Sequence, residues 1–99
     1  MTAYVCLLEV RLHFGQSQDL KGKRKALHSL KAQLRQRFGA SVAEISGHDI
    51  WQRSTLLCAL VGDATVAGRA NEIERFLEAR VPDGCGFDRD LLSLADVRG

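Results

Sequence analysis

SVAEISGHDIWQRSTLLCALVG, Ser41 to Gly62, is the stretch whose reading decides the fold. Ser41–Ser46 reads as a short strand and Arg53–Val61 as a longer apolar one, bounded by Gly62. Gly47–Gln52 connects the two. In the second strand Leu56, Cys58 and Leu60 alternate with Leu57, Ala59 and Val61. It is apolar on both sides. An antiparallel sheet with one wet face normally shows polar residues there. Both faces of this strand are therefore expected to be covered, one by the core and one by a second copy of the chain.

Outward toward the N-terminus lies a basic helix. Leu20, Leu27, Leu30, Leu34 and Phe38 recur at helical spacing between Asp19, a fitting N-cap, and Gly39, a fitting stop. This predicts an amphipathic helix over Leu20–Phe38 of about 18 residues, roughly 27 Å long. Before it, residues 3–13 read as a strand with Cys6, Leu8, Val10 and Leu12 on one face and Leu7, Glu9, Arg11 and His13 on the other. FGQSQ makes the turn between them. Outward toward the C-terminus, Asp63 is a fitting N-cap for a helix over Ala64–Arg80, ended by Pro82, Asp83 and Gly84. Cys85–Leu94 returns as a last strand.

The order is β-α-β-β-α-β. Its economical packing is α+β: a ferredoxin-like plait, one four-stranded antiparallel sheet with two helices on one face. Residues 1–99 carry no repeat, linker or low-complexity tract, so one domain is expected. No apolar run is long enough to span a bilayer, and no membrane partner is expected. The first apolar stretch meets Glu9 and Arg11 at once and reads as a strand, not a secretory signal. Cys6, Cys58 and Cys85 form an odd set without CxxC spacing, which fits free thiols in a reducing cytoplasm.

Charge gives the first functional reading. Seven of the fourteen Lys and Arg residues lie between Lys21 and Arg37 with no carboxylate among them. The net charge is only +2, so the rest of the chain sums to −5. Such polarity presents one cationic face to phosphates or acidic partners. On a helical wheel Arg24, His28, Lys31 and Arg35 flank the apolar side, with Lys21 and Lys25 further round. The topology also brings the helix start to the connector 47–52. Lys21, Lys23 and Arg24 are thus expected beside His48, Asp49, Trp51, Gln52 and Arg53, with Arg11 and His13 pointing toward the same end and Lys31 and Arg35 extending an anion- or RNA-binding surface. Trp51 reads either as a base-stacking residue or as a plug for the sheet end or a dimer interface.

No catalytic or metal motif is present, and no cofactor is expected. His48 and Asp49 have no third ligand at motif spacing. STLLCALV lacks the aromatics of an RNA-recognition motif. The GQSQ loop lacks the phosphate-binding Arg of acylphosphatase-like enzymes.

Two motifs carry a family resemblance. DLKGKR (Asp19–Arg24) resembles the S-L-K-E-K-R helix start of the YlxP-like family, a bacterial family of unknown function. SVAEISGHDIWQR (Ser41–Arg53) resembles its S-V-A-E-x…D-x-W-Q-R segment. The resemblance implies a ferredoxin-like fold and no established activity. It matches Lys21, Lys23 and Arg24 to the family's basic triplet, Trp51, Gln52 and Arg53 to its W-Q-R, and Glu44 to its strand carboxylate. Gly22 departs from the family's Glu, which removes the reciprocal bond of a capping box.

The leading expectation is a non-enzymatic cytoplasmic homodimer that contacts structured RNA or a ribonucleoprotein through the basic helix. The alternatives are a module that meets an acidic protein and a domain that binds a small phosphorylated ligand.

Overall fold

A computed structural model describes residues 2–15, 19–81 and 83–99. The expected turn at 16–18 and the contribution of Pro82 to a helix stop lie outside the described residues. The elements are β1 (Tyr4–His13), α1 (Leu20–Phe38), β2 (Ser41–Ser46), β3 (Arg53–Gly62), α2 (Val66–Arg80), β4 (Cys85–Ser93) and α3 (Leu94–Arg98). The strands form one antiparallel sheet in the order β2-β3-β1-β4.

Alternation in the strands decides what is buried. Cys6, Leu8, Val10 and Leu12 of β1 and Leu56, Cys58 and Leu60 of β3 are almost wholly buried. They join Leu27, Leu30 and Leu34 of α1 and Val66, Ala70, Ile73 and Leu77 of α2 in one apolar cluster. Both long helices therefore cover the same sheet face. The other face carries Val5, Leu7, Leu57, Ala59 and Leu92, all partly exposed, and Val61, which is 69% exposed.

The ends of α1 are made locally. The Asp19 carboxylate accepts the Gly22 N–H at 2.7 Å. Gly39 adopts φ 65°, and the N–H groups of Gly39 and Ala40 return to the carbonyls of Arg35 and Leu34. The second helix begins two residues later than its expected start at Ala64. Asp63 does not cap it; the Asp63 carboxylate accepts the Thr65 N–H at 2.9 Å and so stabilises the turn that leads in.

Two helices were expected, and there is a third. Strand β4 stops at Ser93, whose hydroxyl accepts the Asp96 N–H while the Asp96 carboxylate accepts the Ser93 N–H. This reciprocal capping box starts α3.

Candidate functional site

The helix start and the β2–β3 connector do meet, and a lysine joins them. Lys23 follows the same heptad-like spacing as Leu27, Leu30 and Leu34, so it faces the interior and is wholly buried. Its ammonium donates to the carbonyl oxygens of Gly47 and of Ile50, the latter at 2.6 Å. A third partner, Glu44 Oε2, lies 3.5 Å away. The Ser54 hydroxyl donates to the same carboxylate oxygen. His48 Nε2 stands 3.7 Å from Glu44 Oε1.

Burying an ammonium is costly unless it is paired and hydrogen-bonded. Here the partners are complete: among the described residues no buried side-chain nitrogen or oxygen lacks one. The Glu44 carboxyl is raised by burial, but the Ser54 hydrogen bond and the Lys23 and His48 charges outweigh this and hold it below its ordinary value of 4.5. A register shift between Glu44 and Ser46 marks a bulge beside this carboxylate. The bulge leaves Ile45 48% exposed.

Lys23 thus corrects the expected anion surface. Its charge is turned inward onto protein oxygens and offers nothing to an external phosphate. Glu44, carried as a strand carboxylate, is its partner. A periodicity signal for this was present: position 23 lies where the apolar stripe of α1 has a gap between Leu20 and Leu27.

The other expected site residues are at the surface. Arg24 reaches the His48 carbonyl at 3.4 Å and stands 4.0 Å from Asp49, itself almost fully exposed. Arg35 donates to the Val42 carbonyl at 3.0 Å. Lys21 is exposed and Lys31 partly so, and neither makes an ion pair among the described residues. The same holds for Lys25 and His28, which share their flank of the helix. Trp51 is 42% exposed, so it is not a plug for the sheet end. Gln52 is exposed too, and its backbone carbonyl accepts the Phe14 N–H at 2.6 Å.

Arg53 belongs to a different surface. It lies across from His13 on the uncovered sheet face, where Arg11 lies across from Thr55. A cleft of about 360 Å³ opens there between Arg11, Arg53, Ser46 and Ile50. Arg11 is already held by Asp88 at 2.6 Å, whereas Arg53 has no ion-pair partner among the described residues. The expected set therefore divides into a helix flank, a connector tip and one arginine on the sheet face.

No group of three or more His, Cys, Asp or Glu able to hold a metal occurs among the described residues. Among the described residues no helix is long and apolar enough to cross a membrane. Residues 5–83 match the family described as "Protein of unknown function (DUF503)". No curated protein matches the chain.

Proposed function

We propose, for a chain that belongs to the DUF503 family of unknown function, that it binds the phosphate backbone of structured RNA along the outer flank of α1. The observation that carries this is the row Lys21, Arg24, Lys25, His28, Lys31 and Arg35. It runs the length of the helix with no carboxylate on the helix itself. Arg24 and Arg35 bond chiefly to backbone carbonyls, which orients their guanidinium groups and leaves their charge available. A row of this kind neutralises phosphates and releases counterions. It positions a nucleic acid without reading its sequence. The test is anisotropy of a labelled RNA hairpin at low salt: binding that falls as salt rises is expected, and no binding at about 50 mM salt overturns the reading. Capture of an acidic protein in place of RNA would promote the interaction-module alternative.

A homodimer through the uncovered sheet face is part of the same proposal. Val5 lies across from both Val61 and Leu92, and Leu7 lies across from Ala59, so the apolar side chains form one patch. Asp88 and Asp90 border the face on the β4 side and Arg53 on the β3 side. A face-to-face two-fold contact would bury this patch in both copies.

The finer fold and family names are readings of the same kind. Taken from its other edge the sheet order is β4-β1-β3-β2, and each long helix connects two strands separated by a third. This supports a ferredoxin-like plait. DLKGKR and DIWQR support a YlxP-like protein. Three free thiols support a cytoplasmic setting.

A further inference from the structure

The β2–β3 connector is held from several sides, yet its tip is bare. Gly47 adopts φ 82°, and a Cβ there would sit 2.9 Å from the Arg53 carbonyl oxygen. Only glycine fits. The Gly47 carbonyl accepts both the Ile50 N–H, at 3.1 Å, and the Lys23 ammonium. The Ile50 carbonyl takes a second bond from Lys23, and the Gln52 carbonyl ties the connector to Phe14. A buried charge is thus committed to fixing this loop. Even so, the loop leaves two large apolar side chains partly in water: Ile50 is 39% and Trp51 42% exposed. A fixed loop that leaves part of a large aromatic ring exposed offers a ready surface for a contact made outside the chain.

The charge beside the connector selects the contact. Arg24 bonds to the His48 carbonyl of the connector itself, and Lys21 lies one turn away on α1. Within the connector Asp49 is the one carboxylate. An apolar protein groove would not call for this cationic border. An aromatic platform bordered by cations is what a single-stranded nucleic acid requires: any base stacks on the ring, and the adjoining phosphates meet the cations.

We propose that Trp51 is a stacking platform for an unpaired base of the RNA whose backbone lies on α1. This rests on the RNA reading above and deepens it, because the preferred ligand becomes RNA with an exposed base rather than a plain duplex. Lys23 and Gly47 are positioning residues. Pre-organisation of the loop removes an ordering cost from binding.

Trp51 is the only tryptophan, so its emission reports the contact directly. The experiment titrates the whole protein with a hairpin that carries an unpaired loop and with a fully paired duplex of equal phosphate number. Emission of Trp51 and anisotropy of the labelled RNA are both read. The hairpin is expected to quench Trp51 and to bind more tightly than the duplex. Trp51→Ala should weaken hairpin binding about five- to a hundredfold and leave duplex binding unchanged, while Trp51→Phe keeps most of the preference. Salt-dependent binding with unchanged emission, and a Trp51→Ala variant equal to wild type, overturns stacking and leaves the backbone reading standing. Absence of binding to either RNA overturns both. An emission shift that follows protein concentration without RNA assigns Trp51 to self-association and overturns stacking.

Discussion

Lys23 Nζ and Glu44 Oε2 lie 3.5 Å apart beneath the β2–β3 connector, with the lysine side chain 1% and the glutamate side chain 11% exposed. The pair ties the first turn of α1 to the edge strand β2, and through Gly47 and Ile50 it sets the path of the connector. Together with the Gly47 turn and the Phe14–Gln52 bond, this lysine sets where the W-Q-R segment begins.

Removal of Lys23 should be severe. Lys23→Ala leaves the Glu44 carboxylate without its ammonium partner and takes a donor from the Gly47 and Ile50 carbonyls. Breaking a buried pair costs about 3–5 kcal/mol. For a domain of this size each kcal/mol lowers Tm by about 4–8 °C, so a fall of at least roughly 12 °C is expected. Lys21→Ala, at an exposed position two residues earlier, should stay within about 0.5 kcal/mol of wild type. Thermal unfolding followed by circular dichroism decides it; equal Tm values for the two variants would contradict the clamp.

The same pair makes part of the stability acid-sensitive. Glu44 has a folded pKa below its ordinary value of 4.5. A carboxyl depressed in this way contributes stability that is complete above the unfolded value and lost as pH falls through the folded one. The Tm gap between wild type and Glu44→Gln should thus be largest near neutrality, about pH 7, and close progressively below about pH 4.5. The comparison isolates Glu44 from Asp63 and Asp96, whose pKa values are also lowered, by hydrogen bonds from Thr65 and Ser93. A gap independent of pH would sink the assignment.

How much of this was legible depends on the range of the interactions involved. Strand and helix bounds follow from short-range rules. The alternation of Cys6 to Leu12 and of Leu56 to Leu60 set the core face, and Asp19 and Gly39 set both ends of α1. Ser93-Leu-Ala-Asp96 carries a capping signal for α3, but it overlaps the end of the apolar run Leu91–Leu94 that reads as strand. Lys23 was harder. Its spacing pointed inward, but a buried lysine needs acceptors, and these are carbonyls 24 and 27 residues away in the chain. Side-chain patterns do not reveal where a loop aims its backbone oxygens. The functional surface was legible only as charge: the run over Lys21–Arg37 gave the flank, while the division of Arg53 from it depended on strand register.

Thiol chemistry should follow burial. Burial pushes the Cys58 thiol up to about 11 and raises Cys6 as well. At about pH 8 only about one Cys58 in a thousand is thiolate, the reactive form. Cys85 is raised too, by burial and by Glu78, but it is partly exposed. Titration of native protein with a thiol reagent should label Cys85 first and reach Cys6 and Cys58 only on unfolding. Rapid labelling of all three, or a Cys6–Cys58 disulfide, would count against the buried assignment.

The uncovered sheet face should hold two copies together. Val61 is its most exposed apolar residue, so Val61→Glu leaves the core untouched and places a charge in the patch. Light scattering should show wild-type dimers and mutant monomers at tens of micromolar. Leu57→Glu should do the same, with added repulsion from Glu9 directly across the strands. A wild-type monomer at that concentration would remove the dimer from the proposal.

RNA affinity should depend on individual cations of α1 in a ranked way. If phosphates lie along the flank, log affinity should fall with log salt at about −0.7 to −0.9 per phosphate neutralised. Lys25 and Lys31 have no ion-pair partner among the described residues, so their whole charge is available. Changing both to Glu should weaken hairpin and duplex binding alike and flatten the salt slope by about one for each lysine lost. Arg24→Ala should cost less than this double reversal, since Asp49 stands near it. Arg75→Ala removes an equal charge from the exposed surface of α2 and should change little. The measurement is anisotropy from about 50 to about 200 mM salt, where several phosphate contacts separate clearly from one. If the Arg75 variant loses as much as Lys31→Ala, affinity follows net charge alone and the α1 flank is no specific surface.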